Sequence, residues 1–262
     1  MDRLFDLVFV RPPPNSYVEC VSTSPRRNEI DVELAKEQHR RYVSTLKGFG
    51  IDVVELPPIE DFPDSVFIQD PALLGSRRTI IGRFGEDTRR GEEKALIDAL
   101  RNHRSRIGRI RFVREPGTLE GGDVLVTDHG LFVGESKRTN SNGIEQLATY
   151  LSDFEVKPVK TDLLHLLCGC SYLSEGKMII APDLVSPNLF PGFEFVSLSI
   201  EEAYAADALY LGDGEVLIPS GFPDVNEKLE EAGYEAVEVE MSEFQKGDGG
   251  VTCLCSPVYR LF

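Results

Sequence analysis

Residues 246–257 read KGDGGVTCLCSP, which sets Cys253 five residues after Asp248 and just beyond the pair Gly249-Gly250. A cysteine attacks as its thiolate. With an ordinary pKa of about 8.5 it needs a neighbouring cation, a helix N-terminus or a bound cationic substrate to ionise near neutrality. The glycine pair lets backbone approach a ligand closely. The plain alternative for any single cysteine is a packed core residue. Cys255, two positions on, falls on the opposite face of a strand, so at most one of the two faces a site.

The chain has four histidines to serve as proton carriers: His39, His103, His129 and His165. The first two fall in helical stretches among charges and are expected to face solvent; His129 sits in a turn, "TDHG". His165, in "TDLLHLLCGC", is flanked by leucines. An apolar setting of that kind suits a core histidine or a buried general acid/base. The same stretch offers soft metal ligands, with Cys168 and Cys170 beside His165. However, Cys-x-Cys is not the usual ligand spacing and a second paired knuckle is missing. Among the acids, Asp64 and Asp70 bracket "DSVFIQD", Glu120 precedes Gly121-Gly122, and Asp248 leads to Cys253. Taken singly, each reads as a turn acid capping backbone N–H groups. Arg89 and Arg138, taken singly, read as solvated surface charges. No phosphate-binding glycine loop, Walker motif or nucleophile-elbow serine is present.

These residues lie between short apolar runs that read as strands. The runs are Leu4–Val10, Asp52–Leu56, Val66–Ile68, Thr79–Ile81, Ile110–Val113, Val124–Val126, Leu131–Val133, Glu155–Val159, Met178–Ala181, Ala208–Leu211, Val216–Ile218, Ala236–Val239 and Val251–Leu254. Helices are expected over Asp31–Phe49, Glu92–Arg104, Ser141–Leu151 and Pro223–Ala232. This is too strand-rich for a doubly wound sheet. The spacing suggests a unit of about 50 residues used several times, with "LEGGDVLVT" and "LGDGEVLIPS" as echoes of one element.

The 262 residues carry no compositional break, so a single domain over 1–262 is expected. No apolar run approaches the roughly 18 residues of a membrane span, and Asp2 and Asp6 interrupt the first apolar stretch, which reads as a strand instead of a leader. A cytoplasmic location is the expectation. The net charge of −16 disfavours nucleic acid or anionic membrane as a partner and is compatible with a small cationic substrate. Five cysteines, an odd number, argue against a disulfide framework.

Taken together and in order, these pieces resemble the guanidino-modifying enzymes: dimethylarginine dimethylaminohydrolase, arginine deiminase and the arginine amidinotransferases. The resemblance spans nearly the whole chain. "FPDSVFIQD" is similar to the family's first acidic motif, which implies Asp70 as a guanidinium ligand and Asp64 near the amino-acid end of the substrate. "LEGGDVL" implies Glu120 as partner of a catalytic His165 in "LLHLLCGCSYL". "SKRTN" implies Arg138, with Arg89, as a clamp on the substrate carboxylate. "DGGVTCLCSP" implies Cys253 as the nucleophile and Asp248 as a second guanidinium acid. The length leaves no room for the inserted helical domain of arginine deiminases, and Leu167 stands where they carry an aspartate. The compact chain therefore looks closest to the dimethylarginine branch. Gln69 stands where that branch often has an acid and falls in the substrate-binding set.

The fold implied is a five-fold pseudosymmetric α/β-propeller (pentein) of ββαβ-like modules. The activity implied is hydrolysis of arginine or an N-methylated arginine through a covalent Cys thiouronium, giving citrulline plus an amine or ammonia. The resemblance calls for no metal or organic cofactor and for a small guanidino amino acid as partner; nothing opposes a homodimer. The competing readings are an amidinotransferase, in which an amine resolves the intermediate, and a small zinc- or ligand-binding protein built on Cys168, Cys170 and His165.

Overall fold

The computed structural model describes residues 3–262, so Asp2 lies outside the described residues. In chain order the elements are β1 (Phe5–Val10), α1 (Val32–Gly48), β2 (Asp52–Glu55), β3 (Ala72–Gly75), β4 (Arg78–Ile81), α2 (Glu92–Asn102), β5 (Arg109–Phe112), β6 (Val124–Thr127) and β7 (Gly130–Glu135). There follow α3 (Ser141–Tyr150), β8 (Val156–Lys160), β9 (Cys170–Tyr172), β10 (Lys177–Ile180), β11 (Glu194–Ser197), β12 (Leu209–Gly212), β13 (Glu215–Pro219), α4 (Pro223–Glu231), β14 (Glu235–Val239), α5 (Ser242–Gln245) and β15 (Cys255–Tyr259).

One pairing pattern recurs. β4, β7, β10 and β13 each pair antiparallel with the strand before them and parallel with the strand after. β1 does the same with β15 and β2, so the last strand completes the first unit. The described residues thus form five three-stranded units, two of them fused into one six-stranded sheet by the parallel contact of β15 with β3. Further units meet through the same strands, β6 against β9 and β9 against β12. A parallel pair needs a crossover, and a helix supplies it in four units. In the fourth unit, β10 to β11, the turn Pro187–Leu189 stands in its place.

The helices form where caps and periodicity agree. Asp31 caps α1 by accepting from Glu33 and Leu34 N–H, each at 3.0 Å. Its buried face is Ala35, Gln38, His39, Tyr42, Val43 and Leu46, at helical spacing. His39 is therefore buried, not solvent-facing as expected, and burial lowers its pKa to about 4. His103 is half-buried, edge-on to Phe9 at 5.4 Å.

Two expected strands are turns. Val66 ends a 3-10 turn begun by Pro63, and Cys253 lies inside another, Thr252–Leu254. Both runs are buried, and burial alone produces an apolar string without fixing its backbone. The true strands start after each turn, at Ala72 and Cys255. Among the described residues no helix is long and apolar enough to cross a membrane.

Candidate active site

Each unit's antiparallel strand is preceded by a loop, and these loops supply most of the chemistry-bearing side chains. The position two residues ahead of the strand holds Cys253 before β15, Asp70 before β3, Gly122 before β6, Cys168 before β9 and Asp207 before β12. Glu120 and His165 stand a little further upstream in their own loops. Residues distant in sequence meet because the repeat brings equivalent loops to one place.

A cleft of about 310 Å³ collects Asp64, Asp70, Arg89, Arg138, His165, Asp248 and Cys253, walled by Val21, Phe67, Leu164, Gly247 and Gly249. Glu120, wholly buried, lies behind His165: its Oε2 is 2.9 Å from His165 Nε2, and its Oε1 accepts from Gly85 N–H at 2.9 Å. Asp70 Oδ1 is 3.8 Å from the same Nε2. Burial pushes the imidazole pKa down, but Asp70, the Glu120 hydrogen bond and Asp123 outweigh it and raise the value to about 9. A ring with a pKa of about 9 carries its proton at neutral pH.

Glycine makes this closeness available. A Cβ on Gly122 would lie 2.7 Å from His165 Nδ1 and 2.9 Å from Asp70 Oδ1. Asp123, the last residue of the Glu-Gly-Gly-Asp stretch, accepts from Leu166 N–H at 3.0 Å and from Ser136 Oγ at 2.7 Å. It anchors the loop that carries His165.

The two arginines differ. Arg89 is 3% exposed and closes a buried network: Nη1 reaches Asp70 Oδ2 at 2.6 Å, while Nε and Nη2 fork onto Glu92 at 2.9 Å each. Burial works against its charge, and Glu92 and Asp70 overcome that. Burial also raises Glu92 to about 7, against the pull of Arg89. Asp70 stays below the ordinary carboxylate range: burial opposes, but His165 and Arg89 prevail. Arg138 Nη1, by contrast, is buried without a hydrogen-bond partner, 3.6 Å from Glu120 Oε2. Its Nη2 lies 4.0 Å from Glu86 Oε2, so both of its charge pairs are longer than those of Arg89.

Asp64 and Asp248 both hold the segment Val21–Thr23, whose Val21 lines the cleft. Asp64 accepts from Val21 N–H at 3.1 Å, and Asp248 from the Thr23 hydroxyl at 2.9 Å. Burial raises the Asp64 pKa. Gln69 does not line this cleft. Its Oε1 accepts from Thr252 Oγ1 at 3.1 Å, and it faces a separate cavity of about 500 Å³.

Cys253 is 8% exposed, and burial, then the charges of Asp207 and Asp70, push its thiol well above the ordinary range. Asp207 escaped the sequence reading. Its loop, "YAADALY", carries no glycine signal, and only the repeat in strand position marks it as the counterpart of Asp70. Cys255 is fully buried, its Sγ 4.0 Å from Thr252 O.

Among the described residues, only Asp70, Glu120 and His165 bring three metal-ligating atoms together, within 4.8 Å of one another. Arg89 and the imidazolium already compensate those charges, so the group reads as an internal network. Cys168, Cys170 and His165 form no such group; Cys170 Sγ turns to Leu166 O at 3.7 Å. The geometry does not support the zinc reading.

A family model described as N,N dimethylarginine dimethylhydrolase, eukaryotic, matches residues 17–186, and one for arginine deiminase matches residues 191–260. An uncharacterised protein of Aeropyrum pernix is 43% identical, over 99% of this chain and 98% of its own. The N(G),N(G)-dimethylarginine dimethylaminohydrolase of Pseudomonas aeruginosa is 35% identical, over 96% of this chain and 98% of its own. A solved structure of a Cys-to-Ser variant of the Pseudomonas aeruginosa enzyme, complexed with citrulline, superposes with a TM-score of 0.91 at 34% identity, covering 97% of this chain and 100% of that one.

Proposed function

The chain belongs to the dimethylarginine dimethylaminohydrolase family, and from that premise we propose that it hydrolyses the guanidinium of arginine or an N-methylated arginine to citrulline and ammonia or an amine. The observation that carries the reading is that the Cys253 sulfur, the His165 ring and the Asp70 carboxylate share one small cleft with two arginines.

A guanidinium is planar and resonance-stabilised, so its carbon is a poor electrophile. Asp70 accepts its N–H donors and keeps the group charged. The bound cation favours the Cys253 thiolate that the empty site suppresses. Sulfur attacks the guanidinium carbon and gives a tetrahedral adduct. His165, already an imidazolium, donates its proton to the departing nitrogen, and the C–N bond breaks to leave a thiouronium. The imidazole, now neutral and held by Glu120, takes a proton from water. The water oxygen adds to the carbon, the C–S bond breaks with its electron pair going to sulfur, the remaining hydroxyl proton passes to that thiolate to restore the thiol, and the ureido product is released. Arg138, with its longer charge pairs, binds the α-carboxylate. Arg89, bonded to Asp70 and Glu92, holds Asp70 in place from behind.

The test is ureido-product formation from arginine, monomethylarginine, dimethylarginine and agmatine in buffer with no acceptor amine. Citrulline from an arginine or methylarginine substrate is the expected result. Product only when an acceptor amine is added would make it an amidinotransferase.

A further inference from the structure

Asp207 lies outside every motif that suggested the function, yet it touches the nucleophile. The residue is 4% exposed. Its Oδ1 accepts from Thr252 N–H at 2.7 Å, and its Oδ2 accepts from Cys253 Sγ at 3.8 Å. One carboxylate therefore binds two successive residues of the nucleophile's turn. The approach is close on the other side as well: a Cβ on Gly250 would lie 2.1 Å from Asp207 Oδ2. The second glycine of the Gly-Gly pair leaves room for this acid.

Resting on the nucleophile assignment above, we propose that Asp207 is a catalytic residue that holds Cys253 as a neutral thiol in the empty cleft, so that the thiolate forms only when a guanidinium cation is present. A carboxylate beside the sulfur accepts the S–H hydrogen and disfavours a second negative charge. When the cation arrives, the S–H bond breaks heterolytically, the electron pair stays on sulfur and the proton leaves to water. The sulfur is thereby protected from alkylating and oxidising agents between turnovers, because the thiolate is the reactive form.

The ionisable groups around the sulfur are Asp207, Asp70, Cys168, Tyr17, Tyr42 and Tyr204, with His165, Asp64, Asp248, Arg89 and Arg138 across the cleft. Among the described residues, Asp207 alone accepts a hydrogen bond from the sulfur. Burial raises the Asp207 pKa to about 6, which leaves it mostly ionised at neutral pH.

The experiment is the pH dependence of iodoacetamide modification, located at Cys253 by peptide mass mapping, in the native chain and in Asp207→Asn. The amide keeps the acceptor for Thr252 N–H and turns an N–H toward sulfur. The apparent Cys253 pKa should fall by at least one unit, making modification at pH 7 about tenfold faster or more. An apparent Cys253 pKa that is unmoved or higher overturns the proposal. If Asp207→Asn does not fold, Asp207→Ser removes the charge and carries the same expectation. A role confined to bracing the turn would speed modification at every pH by exposing the sulfur, without moving its apparent pKa. The readout needs no turnover, so it stands even if every guanidine fails as a substrate. Conversely, turnover with an unshifted Cys253 removes Asp207 and leaves the hydrolase reading intact.

Discussion

The α-carbon of Gly122 stands against the ring of His165: a methyl group there would sit 2.7 Å from Nδ1, closer than real side chains approach. The same methyl would meet Asp70 Oδ1 at 2.9 Å. Gly122→Ala must therefore push the imidazole and the acid apart. A displacement of about 1 Å at reacting groups costs on the order of 100-fold in rate. Overpacking of this kind costs about 1–3 kcal/mol in stability. We expect kcat to fall by about two decades while thermal unfolding shows a folded protein with a modestly lower Tm. A variant with near-native kcat would mean that the ring need not stay where Gly122 allows it.

His165 provides the pH signature. Its pKa in the folded chain, about 9, exceeds the ordinary 6.5. Protonation of this ring therefore stabilises the fold fully below pH 6.5, and that contribution is lost as pH rises through about 9. Glu120→Gln removes the negative charge 2.9 Å from the ring and leaves a neutral amide in its place. The imidazole pKa should drop by one unit or more, and the alkaline limb of kcat, which reports the acid that protonates the leaving amine, should move down with it. NMR titration of the His165 ring measures the first and a pH–rate profile the second. A ring that still titrates near 9 in Glu120→Gln would break the pairing.

The arginines separate by stability and affinity. Arg89 compensates two buried acids, Asp70 and Glu92, through three hydrogen bonds to their carboxylates, and Nη2 also donates to the backbone carbonyls of Asp64 and Phe67. Removing it in Arg89→Met leaves buried negative charge unpaired, which typically costs about 3–5 kcal/mol. Arg138 makes no such bonds through Nη1. Arg138→Met should leave the urea midpoint nearly unchanged but raise KM about 10- to 100-fold, the range for losing a charged hydrogen bond. Equal destabilisation by the two substitutions would contradict the distinction.

Much of the site was legible because its residues carry strong local signals. Glycine pairs flank Glu120 and precede Cys253, and leucines flank His165. The repeat of short strands with helices between some of them also showed, since buried strands such as β10 and β13 form continuous apolar runs. What the residues hid were facts of packing. Cys253 lies in a turn because strand and buried turn share one apolar pattern, and β15 begins only at Cys255. Gln69 faces away toward Thr252, a direction set by the backbone of the neighbouring loop, whose Cys253 carbonyl receives the Gln69 N–H at 3.4 Å. Asp207 has no local motif and is recognised only once the five units are superimposed in thought.

The closing test separates the paired cysteines. Cys253 shares the cleft with His165 and Asp70, whereas Cys255 is fully buried in the core cluster that also holds Tyr42 and Leu254. Cys253→Ser places a hydroxyl where sulfur was. With a far less acidic and less nucleophilic atom, turnover should fall below about one part in 1,000, while substrate still binds. Cys255→Ser buries a hydroxyl among apolar neighbours and should cost about 1–3 kcal/mol in stability. Most of its turnover should remain at a temperature where the protein is folded. Chemical denaturation and a citrulline assay on both variants decide the matter. Activity retained by Cys253→Ser and lost by Cys255→Ser would transfer the nucleophile's role to the buried thiol and undo the mechanism.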